Sequence, residues 1–197
     1  MYILYNFPST EMHRCEILFS DVGGKMRNKL VLFVIALLAA GTFLSAQDVP
    51  INVQVKLILK ILSMDRNFSR FGDPIKIGTS SDEFMEELTA IKGKLKVKGK
   101  DFIVEKIDAV ADVAKYKVVY LGKNWVANYK AVSEIASENQ CLVFCQEAAG
   151  VREGGGAVSF IVVDEKPKIV VNVVNAKNQG TDFPAGFLKI TLVEGGL

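Results

Sequence analysis

The sequence predicts an α/β domain: a single mixed, mostly parallel sheet with helices on both faces and a C-terminal hairpin. Three observations lead there. Helix-period and strand-period stretches alternate from residue 50 onward, at the spacing of strand–helix–strand units. The runs at 116–121 and 141–145 are apolar almost throughout, as strands covered on both faces are. The last two strong strand patterns are separated only by a short polar turn, so that pair is antiparallel and the sheet is mixed. No internal repeat or long linker is visible, and one domain over 47–197 follows.

The elements are read in order. Pro50 opens a helix, as proline can in a first turn. Val53, Leu57, Ile61 and Met64 then recur at helical spacing, and Ile58 and Leu62 widen the stripe. Gly72-Asp73-Pro74 ends that section. Ile75 to Thr79 is a strand, and Ser80-Ser81-Asp82 caps a second helix carrying Phe84, Leu88 and Ile91. Lys92 to Lys100 alternates lysine with glycine or apolar residues and reads as a strand, and Phe102 to Ile107 reads as another. Tyr116 to Leu121 is a strong strand closed by Gly122. Trp125 to Ser137 is a helix, and Cys141 to Cys145 the next strand. Ala157 to Val163 and Lys168 to Val173 form a hairpin around Asp164-Glu165-Lys166-Pro167. Short helical or strand segments close the chain.

The N-terminus has a different character. Met26-Arg27-Asn28-Lys29 is basic, Leu30 to Leu44 is apolar or small, and Ser45-Ala46 precedes the polar Gln47-Asp48. This is the order of a secretory signal peptide, over 26–46, and implies export to the periplasm. The apolar run is shorter than the roughly 20 residues a spanning helix needs. Residues 1–25 carry Glu11, Glu16 and Asp21 without an amphipathic period, and read as an over-extended gene start with Met26 as initiator.

Cleavage after Ala46 removes His13, the single histidine, together with Cys15. Histidine-based nucleophile activation, His-containing zinc sites and histidine pH switches are then excluded. With 24 basic and 22 acidic residues, the chain has no electrostatic footprint for nucleic acid. Gly154-Gly155-Gly156 is followed by a strand pattern rather than by a helix, so it reads as a turn or bulge and not as a phosphate loop. Asp82, Glu83, Glu86 and Glu87 suit a helix start, and no calcium-loop spacing appears. No catalytic residue, metal or cofactor is indicated. A hydrolase using two distant carboxylates has no feature pointing to it.

Cys141 and Cys145 sit four apart in one strand, roughly 13 Å at about 3.3 Å per residue. A disulfide needs Cα atoms within about 7 Å. They read as buried small hydrophobes, or else Cys145, at the strand end, is accessible for redox sensing or pairing across a dimer. Lys92, Lys94, Lys96, Lys98 and Lys100 read as a charged edge strand or as an attractor for an anionic surface.

Two surfaces are candidates. In open α/β sheets ligands sit beyond the strand C-termini, which here offers Thr79, Ser80 and Ser81 with Gly122, Lys123 and Asn124. The first helix has a wide apolar stripe, and Ile58 and Leu62 are candidates for a partner or self-association surface. The other reading is that both sides of that helix are core.

The C-terminal half carries a recognisable set of motifs. These are Cys141 to Glu147, Glu153-Gly154-Gly155-Gly156-Ala157-Val158-Ser159-Phe160, the strand ending at Asn172, then Gly180 and Phe183 to Ile190. With the first helix and Lys76-Ile77-Gly78, this set resembles the YfiR/HmsC-like family over most of residues 50–193. Glu153, Gly155, Gly156, Asn172 and Gly180 carry the resemblance most directly. It implies a periplasmic, non-enzymatic regulator that contacts a membrane-bound sensor or cyclase protein, such as the sensor domain of a diguanylate cyclase, and that forms homodimers. The alternative is a periplasmic small-molecule-binding module using the strand-end crevice. The chain departs from the family where the first helix ends Asp65-Arg66-Asn67 rather than aromatic-Trp-Pro.

The exported protein is expected to begin near Gln47. N-terminal sequencing of the secreted pool checks this, and retention of Leu30 to Leu44 there would refute it.

Overall fold

The computed structural model describes residues 48–195. The expected signal peptide over 26–46 and the stretch 1–25, including His13, lie outside the described residues. Seven strands form one sheet in the order β2-β1-β3-β4-β5-β6-β7. They are β1 (Ile75–Thr79), β2 (Phe102–Lys106), β3 (Val118–Leu121), β4 (Leu142–Cys145), β5 (Val158–Val163), β6 (Lys166–Asn172) and β7 (Leu192–Glu194). β1 to β5 are mutually parallel; β6 runs antiparallel to β5, and β7 parallel to β6. The expected mixed, mostly parallel sheet is what the chain builds.

The helices are α1 (Ile51–Met64), α2 (Asp82–Ala90), α3 (Tyr129–Glu138), α4 (Ala148–Arg152), α5 (Val173–Asn178) and α6 (Ala185–Leu188). Ser81 caps α2, its Oγ accepting from the Phe84 N–H at 3.2 Å, and Asp82 and Glu83 face the positive end of the helix. The period of two in each strand divides the core between the faces. Val118 and Tyr120, with Leu142 and Phe144, join Ile58, Leu62, Phe84 and Phe187 in one cluster. Val119, Leu121, Val143 and Cys145 join Tyr129, Val132 and Val113 in the other.

The first face also holds a polar pair. Tyr120 Oη donates to Gln54 Oε1 at 2.9 Å, and Gln54 Nε2 donates to the Val49 carbonyl at 2.7 Å. The Tyr120 ring stacks on Phe84 with centroids 3.9 Å apart. A buried tyrosine and glutamine are tolerated because their polar atoms are paired, which also fixes where α1 lies on the sheet.

Several expectations are corrected. Lys92 to Lys100 is not a strand. Gly93, Lys98 and Gly99 have φ of +77, +47 and +84°, so the stretch folds as consecutive tight turns held by isolated bridges. Its buried anchor is Val97, and Lys98 and Lys100 lie 5.0 Å from the Phe68 ring. The stretch 125–137 divides into a 3-10 segment, Lys123–Asn128, and then α3. The hairpin turns on two residues, Asp164 and Glu165, both at positive φ. Helix α4, for which no element was expected, lies between β4 and the glycine run.

Ile58 and Leu62 are also corrected as an interaction surface: they are 1% and 0% exposed. The stripe on α1 is wide because the helix packs both over the sheet and beside α2, so the apolar width is spent within the domain.

Ile58→Asp or Leu62→Asp is therefore expected to unfold the domain rather than disable a contact. Burying an unpaired charge while losing the packed side chain costs several kcal/mol, comparable with the whole stability of a domain. Circular dichroism and a urea titration check this; a native-like transition in either variant would refute it.

Candidate functional site

At the strand C-termini Thr79, Ser80, Ser81, Gly122 and Asn124 bond to one another, and Lys123 bonds to residues outside this set. Ser81 N–H donates to Thr79 Oγ1 at 3.1 Å. Gly122 N–H donates to Ser80 Oγ at 2.9 Å, and Asn124 Nδ2 donates to the Ser80 carbonyl at 2.9 Å. A Cβ on Gly122 would lie 2.7 Å from Asn124 Oδ1 and 3.0 Å from Ser81 Cβ, so the loops are in contact. Lys123 donates its backbone N–H to Gln146 Oε1 at 3.1 Å, and its ammonium pairs with Asp48 and lies 3.7 Å from Glu147. The side chains a ligand would use at this end are thus engaged in closing the loops.

The family-motif residues hold junctions. Asn172 caps α5, its Oδ1 accepting from the Asn175 N–H at 3.0 Å. The Gly155 carbonyl accepts from Ser133 Oγ at 2.7 Å and Gln179 Nε2 at 3.0 Å. Gly156 lies so close to Cys145 Sγ that a Cβ has no room. Glu153 ends α4 at the surface. Gly180, at φ +79°, brings its backbone against Arg70 and Gln140.

Gly180 marks the opposite end of the sheet, where an open site lies. A 3-10 turn (Phe68–Phe71) follows α1, Gln140 precedes β4, and the loop 179–182 follows α5. Asp65, fully buried, accepts at Oδ1 from the Asn67 and Asp182 N–H groups at 2.9 and 3.0 Å. Arg70 Nε lies 3.6 Å from Asp65 Oδ2, an ion-pair distance and too long for a hydrogen bond. The guanidinium donates to the Gln140 carbonyl and, at 2.6 Å, to Thr181 Oγ1. Burial lowers the Arg70 pKa from its ordinary value, and the Asp65 charge opposes that shift. Above this knot is a cavity of about 510 Å³ whose cations are Arg66, Arg70 and Lys177. An adjoining hollow of about 230 Å³ is lined by Val173, Ala176, Phe183 and Leu188. Sequence reading missed this end because its three parts, 65–70, 140 and 177–182, lie more than 35 residues apart in the chain.

A third feature is the sheet edge. Ile190, Leu192 and Val193 are 67, 41 and 44% exposed, and among the described residues β7 is paired only with β6.

A family model described as YfiR/HmsC-like matches residues 66–191. The chain belongs to the YfiR/HmsC-like family. Membership suggests a periplasmic, regulatory role. No curated protein sequence matches the chain. Among solved structures it is similar to a conserved domain protein from Vibrio cholerae O1 biovar eltor, at 18% identity and a TM-score of 0.53, over 76% of this chain and 61% of that one. It is also similar to the ligand-free, open structure of a substrate binding protein with adhesive properties from Clostridium difficile, at 16% identity and a TM-score of 0.51, over 77% of this chain and 62% of that one. The chain thus spans about three-fifths of each, and the likeness is one of fold.

Both described cysteines are free and fully buried, so Cys145 is not an accessible redox group at the strand end. Burial pushes the Cys141 thiol up to about 12, partly offset by Arg70 and Lys117, and pushes Cys145 up as well. The folded state therefore keeps both thiols neutral where the unfolded chain ionises them. This contribution is complete below the ordinary thiol value and fades as pH rises through it towards about 12. Iodoacetamide at about pH 8 is expected to leave both cysteines unmodified until denaturant is added, and denaturation midpoints are expected to fall as pH rises above the ordinary thiol value of 9.0. Mass spectrometry of native and unfolded samples checks the first; rapid native labelling would refute the burial.

Proposed function

We propose that the protein is an exported periplasmic regulator that acts by surface contact with a membrane-protein partner, such as the sensor domain of a diguanylate cyclase. The observation that carries this is the match to the YfiR/HmsC-like family over 66–191. The exposed apolar run at Ile190, Leu192 and Val193 supports it and supplies the surface, in place of Ile58 and Leu62. Soluble monomers seldom leave large apolar side chains clustered at an unpaired sheet edge, because such an edge invites pairing. The mutual bonding of Ser80, Gly122 and Asn124 weighs against the reading in which a small molecule occupies the strand C-termini.

The test is a photo-crosslinking residue placed at Ile190 or Leu192 in the exported protein, followed by capture from the native envelope. A membrane sensor or cyclase is expected as the main adduct. Ile190→Asp with Leu192→Asp is expected to lower its yield about tenfold, the loss of a modest hot spot, while the thermal midpoint stays unchanged. Adducts with a second copy of this chain alone, or none, would overturn the partner reading.

A further inference from the structure

The end of the sheet at Arg70 carries an inference of its own. We propose that the cavity over Arg70 and the adjoining apolar hollow form one binding site for a small carboxylate with an apolar body, about the size of phenylacetate.

The head-group end is cationic and partly prepared. Arg70 is held on three sides: by the Gln140 carbonyl, by Thr181 Oγ1 at 2.6 Å and by the Asp65 carboxylate at 3.6 Å. The Phe71 ring lies 4.4 Å from its guanidinium carbon. Each terminal nitrogen carries two N–H groups, and the protein uses one of each, so the fork keeps donors for an anion on the cavity wall. Fixing the guanidinium beforehand removes the entropy that a free arginine loses on binding. Arg66 and Lys177 stand on the same wall. Lys177 has no carboxylate within ion-pair distance among the described residues, and Arg66 has Asp182 only at 3.5 Å, with both side chains largely exposed.

Gly180 supplies the room. Its φ is +79°, and a Cβ there would lie 2.9 Å from Gln140 Cβ and 3.1 Å from an Arg70 terminal nitrogen. A larger residue would occupy the space in front of the fork.

The body of the ligand is set by the second hollow. Arg66, Lys177, Thr181 and Asp182 line both spaces, so the two adjoin across those side chains. At about 230 Å³, the hollow exceeds the roughly 150 Å³ that accommodates a benzene ring. Val173, Ala176, Phe183 and Leu188 give it apolar walls. Charge selects a monoanion: Asp182 stands on the shared wall, and it disfavours a second negative charge there. A planar carboxylate also matches the bidentate geometry of the guanidinium fork.

The site lies beside the proposed contact edge. Leu188 ends α6 in the hollow, two residues before the exposed Ile190. The ligand inference does not rest on the partner reading, and it is tested on the isolated protein.

The experiment is an amide NMR titration of the purified protein with phenylacetate, 2-phenylethanol, phenyl phosphate and inorganic phosphate in parallel. Phenylacetate is expected to shift Gly180, Thr181 and Asp182 saturably. Arg66→Gln with Lys177→Gln is expected to weaken it about tenfold without altering the thermal midpoint, since both are surface residues. Gly180→Ala, if folded, is expected to block it. Equal binding of 2-phenylethanol would overturn the charged head. Tighter binding of phenyl phosphate or inorganic phosphate would overturn the carboxylate. No saturable shift with phenylacetate, or one indifferent to the Arg66 and Lys177 changes, would overturn the site.

Discussion

Asp65 ends α1 with no exposed surface, and the arrangement of the N-terminal end of the sheet follows from how that charge is satisfied. Its carboxylate holds the start of the 3-10 turn through Asn67 and the loop after α5 through Asp182. Arg70, its ion partner, reaches on to the Gln140 carbonyl ahead of β4 and to Thr181. Three stretches far apart in sequence thus meet at one charge pair. Taking two charges from water costs several kcal/mol per ion, and it is offset only where the remaining donors and acceptors are paired. Here most are, and Asp65 Oδ2 with Arg70 Nε is the contact left at ion-pair length. Such a pair adds little net stability over an apolar replacement, but losing one partner alone costs about 3–5 kcal/mol. Its structural effect is positional: it fixes where the loop 179–182 stands relative to the sheet, and so gives the adjacent cavity its shape.

The sheet itself makes a simpler demand. Strands β1, β3 and β4 are central and parallel, so both of their faces need covering, and every residue of β3 and β4 is buried. This is why 118–121 and 142–145 read as unbroken apolar runs, and why helices are needed on both sides. The antiparallel turn at Asp164-Glu165 reverses the chain and returns β6 to the N-terminal end, which places α5 and Lys177 beside Arg66. The cavity is thus a product of one change of strand direction in an otherwise parallel sheet.

Much of this was legible in the sequence where the signal was local. The Ser81 cap, the strand at 75–79, the apolar strands and the hairpin depend on residues within about ten positions, and patterning reports them well. Local patterning also misled. At 92–100 the lysines alternate as in a strand, but Gly93 and Gly99 adopt positive φ and break the run into turns. Ile58 and Leu62 looked surplus because a stripe shows how much of a helix is apolar, not how many neighbours cover it. The cavity at Arg70 was not legible at all, since Arg66, Gln140 and Lys177 meet only through the tertiary fold. The crevice residues at 79–81 and 122–124 lie together at the strand ends. Their preference for bonding to each other is a matter of distances that spacing does not encode.

The two buried thiols would set an order of events for this chain in an oxidising compartment. Cys145 ends β4 and Cys141 stands just before it, so the extended backbone between them holds the two thiols farther apart than a disulfide can reach. In the unfolded chain the same pair is four residues apart and meets readily, because short loops close fast. A bridge formed at that stage would bend the backbone that must become the centre of the sheet. Oxidised at this pair and folded are therefore mutually exclusive states. In an oxidising compartment the fate of a newly arrived molecule becomes a race between strand assembly and thiol oxidation, and a folded molecule has already won it.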